Sequence, residues 1–245
     1  MTTATKPKSG YERWQDTINN AVGDAKWNAY DCEIQTAVNE INRHLSGTPG
    51  YSPLDWRLIK AMTWVESGAE NKKWKSRPIQ IGNTGDPGFD ALLSNKEGGD
   101  LILPPTWKSH LNHSNVIAFP TYNLRAGISY LLMKMAHFSI QRVDDTDRHT
   151  YKVTVEAGDT LERIAKTHGS TVEVLKKLNP RAHTLHPGQV LEYRKAVVKK
   201  VIVGWRPVTT LGIAMYYNGG GDPLYAKKLD YAMTATRKGK SAVCH

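Results

Sequence analysis

Leu54, Leu58, Ile59, Met62 and Val65 recur at three- and four-residue steps, the spacing of one buried helical face, and predict a helix over residues 53–67. Ser67-Gly68 supplies its stop. The same period runs earlier through Trp14, Ile18, Val22, Ile34, Val38 and Ile41, so residues 11–45 read as helix up to the turn-forming Ser46-Gly47-Thr48-Pro49-Gly50. From Lys72 to Pro120 the period weakens, and frequent Gly, Pro, Asn and Asp predict a long ordered surface region of the kind that carries substrate contacts. Periodicity returns at Leu124, Ile128, Leu131, Leu132 and Met135, with Asn123 as the expected cap.

Polar residues from Gln141 to Thr150 mark a boundary, after which the period changes. Tyr151 to Val155 alternates as a strand, and Gly158-Asp159 turns the chain. Thr160 caps a short helix holding Leu161, Ile164 and Ala165, and a second helix spans Thr171 to Leu178. Gly188 to Tyr193 reads as the closing strand. The succession Tyr151-x-Val153, Gly158-Asp159-Thr160-Leu161, Ile164-Ala165, Val172-x-x-Leu175, Leu178-Asn179-Pro180 and Leu185-x-Pro187-Gly188-Gln189-x-Leu191 resembles a LysM domain. The resemblance implies a βααβ unit that binds N-acetylglucosamine-containing glycans such as peptidoglycan or chitin. Its shallow sugar groove would lie between Gly158, Asp159 and Thr160 on one side and the loop from Asn179 and Pro180 to Leu185 on the other. Most of these positions also have a structural use: leucines for a core, glycines for turns, Pro180 for a fixed loop.

The chain then continues through a basic link, Lys195 to Lys200, and ordered structure restarts at Trp205-Arg206-Pro207. Leu211, Ala214 and Met215 define a short helix that stops at Tyr217-Asn218-Gly219-Gly220-Gly221-Asp222-Pro223. Leu224, Leu229, Ala232 and Met233 carry a final one. A segment of about 45 residues is too short for an independent core, so it completes the helical fold begun before residue 150. The expected organisation is α+β: a mainly helical domain in two parts, 11–148 and 197–245, interrupted by the small βααβ module at 149–196.

Composition adds a bias rather than a class. Seven Trp and eleven Tyr against three Phe favour rings with a polar tip, which suit an extended polar ligand such as a glycan or single-stranded nucleic acid and also ordinary core edges. Lys and Arg number 17 against 16 Asp and Glu in residues 1–150, and 16 against 7 in residues 151–245, so the second part supplies the net charge of +10. That excess favours polyanionic surfaces, nucleic acid, anionic lipid and bacterial wall among them. No zinc spacing or nucleic-acid module accompanies it, so no specific nucleic-acid partner is expected. The start of the chain has no apolar run and no stretch has the length of a membrane span, so the expectation is cytoplasmic synthesis without a cleaved leader or membrane insertion. Cys32 and Cys244 lack metal-ligand spacing, and neither a metal nor a cofactor is expected. They read as two unrelated thiols or, in an oxidising periplasm, as a bridge tying the tail to the first helical region.

Glu66 closes the helix over 53–67. A carboxyl at the end of a core-packed helix is partly desolvated, which disfavours its charge and suits a general acid, although most glutamates at helix ends are simply solvated. With the module set aside, the outer segments resemble goose-type lysozymes and soluble lytic transglycosylases. The resemblance rests on Val65-Glu66-Ser67-Gly68, Arg77-Pro78-Ile79-Gln80-Ile81, Asn123-Leu124-x-x-Gly127-x-x-Tyr130-Leu131 and Tyr216-Tyr217-Asn218-x-Gly220, in that family's order. Arg77-Pro78, Tyr216 and the long continuation from Ile81 to Gly88 depart from its pattern. It implies that Glu66 is the catalytic acid for the bond between N-acetylmuramic acid and N-acetylglucosamine. Tyr217 and Asn218 would steady Glu66 or the N-acetyl group, and Gln80 would line the cleft. Tyr217 can equally be a core tyrosine, Asn218 a helix-ending residue and Gln80 a backbone clamp.

Two outcomes share that bond. In lytic transglycosylation Glu66 then acts as base and the muramoyl C6 hydroxyl closes on C1. Hydrolysis by inversion needs a second carboxylate for water, for which Asp86 is the candidate ahead of Asp90 and Asp100, although Asp86 before Pro87-Gly88 also fits a turn. A wall-binding protein without catalysis and a nucleic-acid binder are the rivals from other classes. Modular muramidases of this kind resemble effectors delivered by a type VI secretion system into a competitor's periplasm, which implies an immunity protein and a delivery component. Release during phage lysis is the alternative setting.

Overall fold

A computed structural model describes residues 6–83, 85–145, 149–239 and 244. The chain divides into two compact units, Met1–His137 with Ile202–His245, and Phe138–Val201.

The first unit is helical. α1 (Gly10–Ala21) and α2 (Asp31–Leu45) precede α3 (Trp56–Glu66), and a 3-10 turn follows at Lys72–Lys75. The region expected to be irregular holds short helices: α4 (Pro87–Leu93), α5 (Gly99–Ile102), α6 (Pro105–Lys108) and α7 (His113–Ala118). α8 (Pro120–Met135) runs through the core, and α11 (Thr210–Tyr216) and α12 (Tyr225–Lys238) return after the second unit. Asp55 caps α3 by accepting from the Arg57 amide at 2.9 Å. Leu58, Ile59, Ala61, Met62 and Trp64 are buried, and each large apolar side chain so placed contributes about 1.5–3 kcal/mol. α3 packs most extensively against α12, so the C-terminal segment completes the same core. The Lys60 ammonium is buried and held by Asp31 at 2.9 Å and Asn28 at 2.6 Å.

Several expectations change. Residues 11–45 are two helices, because Gly23 (φ +83°) breaks the run and Trp27 turns inward onto Trp64. Asn123 is not a cap. It sits inside the first turns of α8, fully buried, accepting from the Ile79 amide at 3.0 Å and donating to the Ile81 carbonyl at 2.9 Å and the Val116 carbonyl at 3.2 Å. The polar stretch after Gln141 and the basic link after Lys195 belong in part to strands, β1 (Ala136–Asp144) and β4 (Ala196–Trp205), which pair. The division between the two compact units falls inside both strands, after His137 and after Val201. On α11 the buried anchor is Ile213, whereas Leu211 is 73% and Met215 65% exposed. Cys32 and Cys244 form a disulfide, with Cα atoms 5.3 Å apart.

The second unit is the expected βααβ. β2 (Tyr151–Thr154) pairs antiparallel with β3 (Val190–Tyr193), Val153 opposite Leu191 and Tyr151 opposite Tyr193. Between them lie α9 (Leu161–Thr167) and α10 (Val172–Leu178). Val155, Ile164, Ala165, Leu175 and Leu191 form its core. Among the described residues no helix is long and apolar enough to cross a membrane.

Candidate active site

α3 ends at Glu66 because Gly68 turns the chain at φ +65°, and the amides of Ser67 and Gly68 both reach back to the Thr63 carbonyl at 3.2 and 3.1 Å. A side chain at Gly68 would meet the Trp27 ring at 2.8 Å, so only glycine lets this end lie so close to the core. The Ser67 hydroxyl donates to the Pro78 carbonyl at 2.8 Å and ties the helix end to the segment 77–81. That segment is held from the other side by the buried amide of Asn123, and Ile79 packs onto Gly127, where a Cβ would approach its side chain to 2.3 Å.

Glu66 is only partly exposed. The Tyr225 hydroxyl donates to its Oε1 at 2.7 Å across a sequence separation of 159 residues. Desolvation raises its pKa from 4.5 to about 7, the Tyr225 hydrogen bond opposes that rise, and the nearby Asp222 carboxylate adds to it. Asp222 accepts from Lys228 Nζ at 2.7 Å and from the Leu224 amide at 2.9 Å, and its own pKa is lowered, burial being outweighed by Lys228 and that amide. The group that holds Glu66 is therefore Tyr225 at the start of α12, not Tyr217. Burial, followed by the charges of Glu66 and Tyr217, raises the Tyr225 phenol far above its usual value, so it serves as a neutral donor.

Tyr217 still belongs to the site. Its hydroxyl donates to the Ile79 carbonyl at 3.4 Å, its ring lies 5.5 Å from that of Tyr130, and burial and then the Glu66 charge raise its pKa well above the usual phenol value. Gln80 donates through Nε2 to the Glu66 carbonyl and accepts from Lys73 Nζ at 3.0 Å. Its φ of +56° is a left-handed conformation that a non-glycine residue adopts at a local cost of about 1–3 kcal/mol, as residues at functional sites do. Asn218 accepts from the Asp222 amide at 3.1 Å, which fixes the turn between α11 and α12.

Asp86 is committed elsewhere. One oxygen accepts from the Gly88 and Phe89 amides at 2.9 and 3.3 Å as the cap of α4, and the other from the Gly82 amide at 2.8 Å. Asp90 meets His113 Nε2 at 2.8 Å. Sequence reasoning missed Tyr225 and Asp222, although the spacing of Tyr225, Leu229 and Ala232 carried the signal for a buried Tyr225. Among the described residues no group of three or more His, Cys, Asp or Glu is arranged to hold a metal ion.

In the second unit Gly158 takes φ +84°, Asp159 accepts from the Glu156 amide at 2.9 Å, and Thr160 caps α9 through the Arg163 amide at 3.2 Å. Asn179 clamps β3, donating to the Glu192 carbonyl at 2.7 Å and accepting from its amide at 2.9 Å. Asn179 and Pro180 line a shallow cavity of about 370 Å³ with Arg181, Gln189 and Val190. Gly158, Asp159 and Thr160 are not among its lining residues.

No curated protein and no solved structure matches the chain. The LysM domain family model matches residues 153–192. The chain is thus a LysM domain attached to a separate, mostly helical domain.

Proposed function

We propose that the protein associates with peptidoglycan through its LysM domain and that the helical domain is a muramidase, cleaving between N-acetylmuramic acid and N-acetylglucosamine. The observation that carries this reading is Glu66, a desolvated carboxyl poised near neutrality at the end of α3 and held by Tyr225 from the other end of the chain. Protonated Glu66 donates to the glycosidic oxygen as the C1–O bond breaks and oxocarbenium character develops. The resulting carboxylate then removes the proton of the muramoyl C6 hydroxyl, whose oxygen bonds to C1. A 1,6-anhydro end forms, no water is consumed and Glu66 is protonated again. Gln80 and Tyr217 line this cleft, and Asn218 shapes it through the turn ahead of Tyr225.

Transglycosylation is favoured over inverting hydrolysis by the state of Asp86, whose oxygens already serve three backbone amides. Mass spectrometry of purified peptidoglycan after digestion tests both steps. Anhydromuramoyl ends from the parent and none from Glu66→Gln are expected. Reducing muramoyl ends would replace transglycosylation by hydrolysis, equal clearance by Glu66→Gln would refute Glu66 as the acid, and no clearance by the parent would leave a wall-binding protein.

The setting we propose is that of an antibacterial effector, delivered by a type VI secretion system to the periplasm of a target bacterium and countered in its producer by an immunity protein. The Cys32–Cys244 disulfide fits an oxidising compartment. Phage lysis is the second setting. Expression directed to the periplasm should lyse the host while cytoplasmic expression spares it; toxicity confined to the cytoplasm would rule out wall cleavage as the cause.

A further inference from the structure

A cavity of about 770 Å³ opens in the helical unit at the other end of the α3–α12 pair from Glu66. That volume lies within the roughly 300–1,000 Å³ range of small-molecule sites. Asp55, the cap of α3, and Leu58 within the helix line it, and the rise from Leu58 to Glu66 is about 12 Å along the helix axis. It is therefore not an extension of the acid's immediate surroundings, and its lining residues all lie in the helical unit.

Two rings form part of its wall. Tyr51 and Trp205 meet at 4.9 Å between centroids, inclined by 62°. Their polar tips are already used, Tyr51 Oη donating to Asn42 Oδ1 at 2.7 Å and Trp205 Nε1 to Thr48 Oγ1 at 3.2 Å. What they offer a guest is carbon, and Pro53 and Met233 extend that apolar wall. Asp230 and Arg237 stand at the rim, roughly two turns apart on α12 and both exposed. Neither enters an ion pair among the described residues. A lining that combines aromatic carbon with a carboxylate and a guanidinium matches a pyranose ring, whose C–H face stacks on aromatic carbon while its hydroxyls donate to Asp and accept from Arg.

We infer that this cavity is a second glycan-binding site of the helical unit, taking pyranose units of an N-acetylated strand independently of the Glu66 cleft and the LysM cavity. The choice of ligand class rests on the wall-glycan reading above; the geometry of the cavity does not. A strand held there would be gripped by the helical unit itself at a point remote from the bond to be broken.

Hydrogen–deuterium exchange of the full chain tests it, in the Glu66→Gln background so that the ligand stays intact, with the N-acetylglucosamine tetramer as probe. Protection is expected in segments 50–58, 205–210 and 230–237, whatever happens at 179–191. Ser52→Trp, an exposed position at the mouth, should abolish that protection. Asp230→Ala combined with Arg237→Ala, both on the solvent side of α12, should weaken it about tenfold or more with the helical circular dichroism unchanged. Absence of protection at 50–58 and 205–210, or protection indifferent to both variants, would overturn the inference. Protection by a free wall stem peptide but not by the sugar would overturn it too. A parent that fails to cleave peptidoglycan while these segments are still protected by the sugar refutes the muramidase reading and supports this one.

Discussion

Replacing Glu66 by Gln keeps the shape of the side chain and an oxygen for the Tyr225 hydroxyl, and removes only the ability to ionise. The native carboxyl titrates near 7 against an ordinary value of 4.5. Between those values the folded protein holds a proton that the unfolded chain has released, so the stability of the parent falls as pH rises through this window. The full penalty, reached above the native value, is about 3 kcal/mol. Glu66→Gln escapes it. The variant should match the parent below about pH 4.5 and exceed it by about 3 kcal/mol above about pH 8, or roughly 6 to 12 °C in the midpoint of the helical unit. Thermal or urea unfolding from about pH 4 to about pH 9, without reductant, reads this directly, and the LysM transition should not move. A difference between parent and variant that stays flat across the range would mean a well-hydrated carboxyl and would refute the reasoning from burial to acid catalysis.

Tyr225→Phe removes the hydrogen bond that favours the carboxylate, so the alkaline limb of the pH–rate profile on wall suspensions should move to higher pH while the rate at the optimum drops about tenfold; a limb moving down would contradict the assigned donor. Gly127→Ala drives a methyl into Ile79 and should cost about 1–3 kcal/mol in urea unfolding, whereas Gly204→Ala, with open space around it, should cost less. Cys32→Ser with Cys244→Ser opens a closed loop of 212 residues and should lower stability by about 3–5 kcal/mol; unchanged melting under reducing and oxidising conditions would mean the bridge does not form in solution. Asp86→Asn keeps an oxygen for the α4 cap but loses the acceptor for the Gly82 amide, which should cost about 1–3 kcal/mol and leave the product ends unchanged; a switch of product would restore Asp86 as a base.

The helix bearing Glu66 was legible because its period and its stop at Ser67-Gly68 agree, and consistency across such levels is what specifies an element; the structure adds the cap at Asp55. The LysM module was legible for the same reason. β1 and β4 were not, since Arg142, Lys199 and Lys200 put charge where alternation should show, and a half-exposed two-stranded ribbon needs little apolar patterning. On α11, Leu211 and Met215 mimic a core face that Ile213 actually provides. At the site, the positions of Glu66, Gln80 and Tyr217 followed from the motif order, whereas Tyr225 is set by how α12 lies on α3, a tertiary fact with no local signature beyond its phase with Leu229 and Ala232.

The hydrogen bond from Tyr225 to Glu66 joins residues 159 positions apart, and it has a consequence for the order of events during folding. The LysM unit is one contiguous stretch, so its contacts close over short loops and can form as soon as it is made. α3 can meet α2 early, but the face that α12 covers must wait until α12 exists. A nascent chain therefore acquires its glycan-binding module before its acid is buried, and a chain truncated ahead of Tyr225 keeps the former without ever assembling the latter.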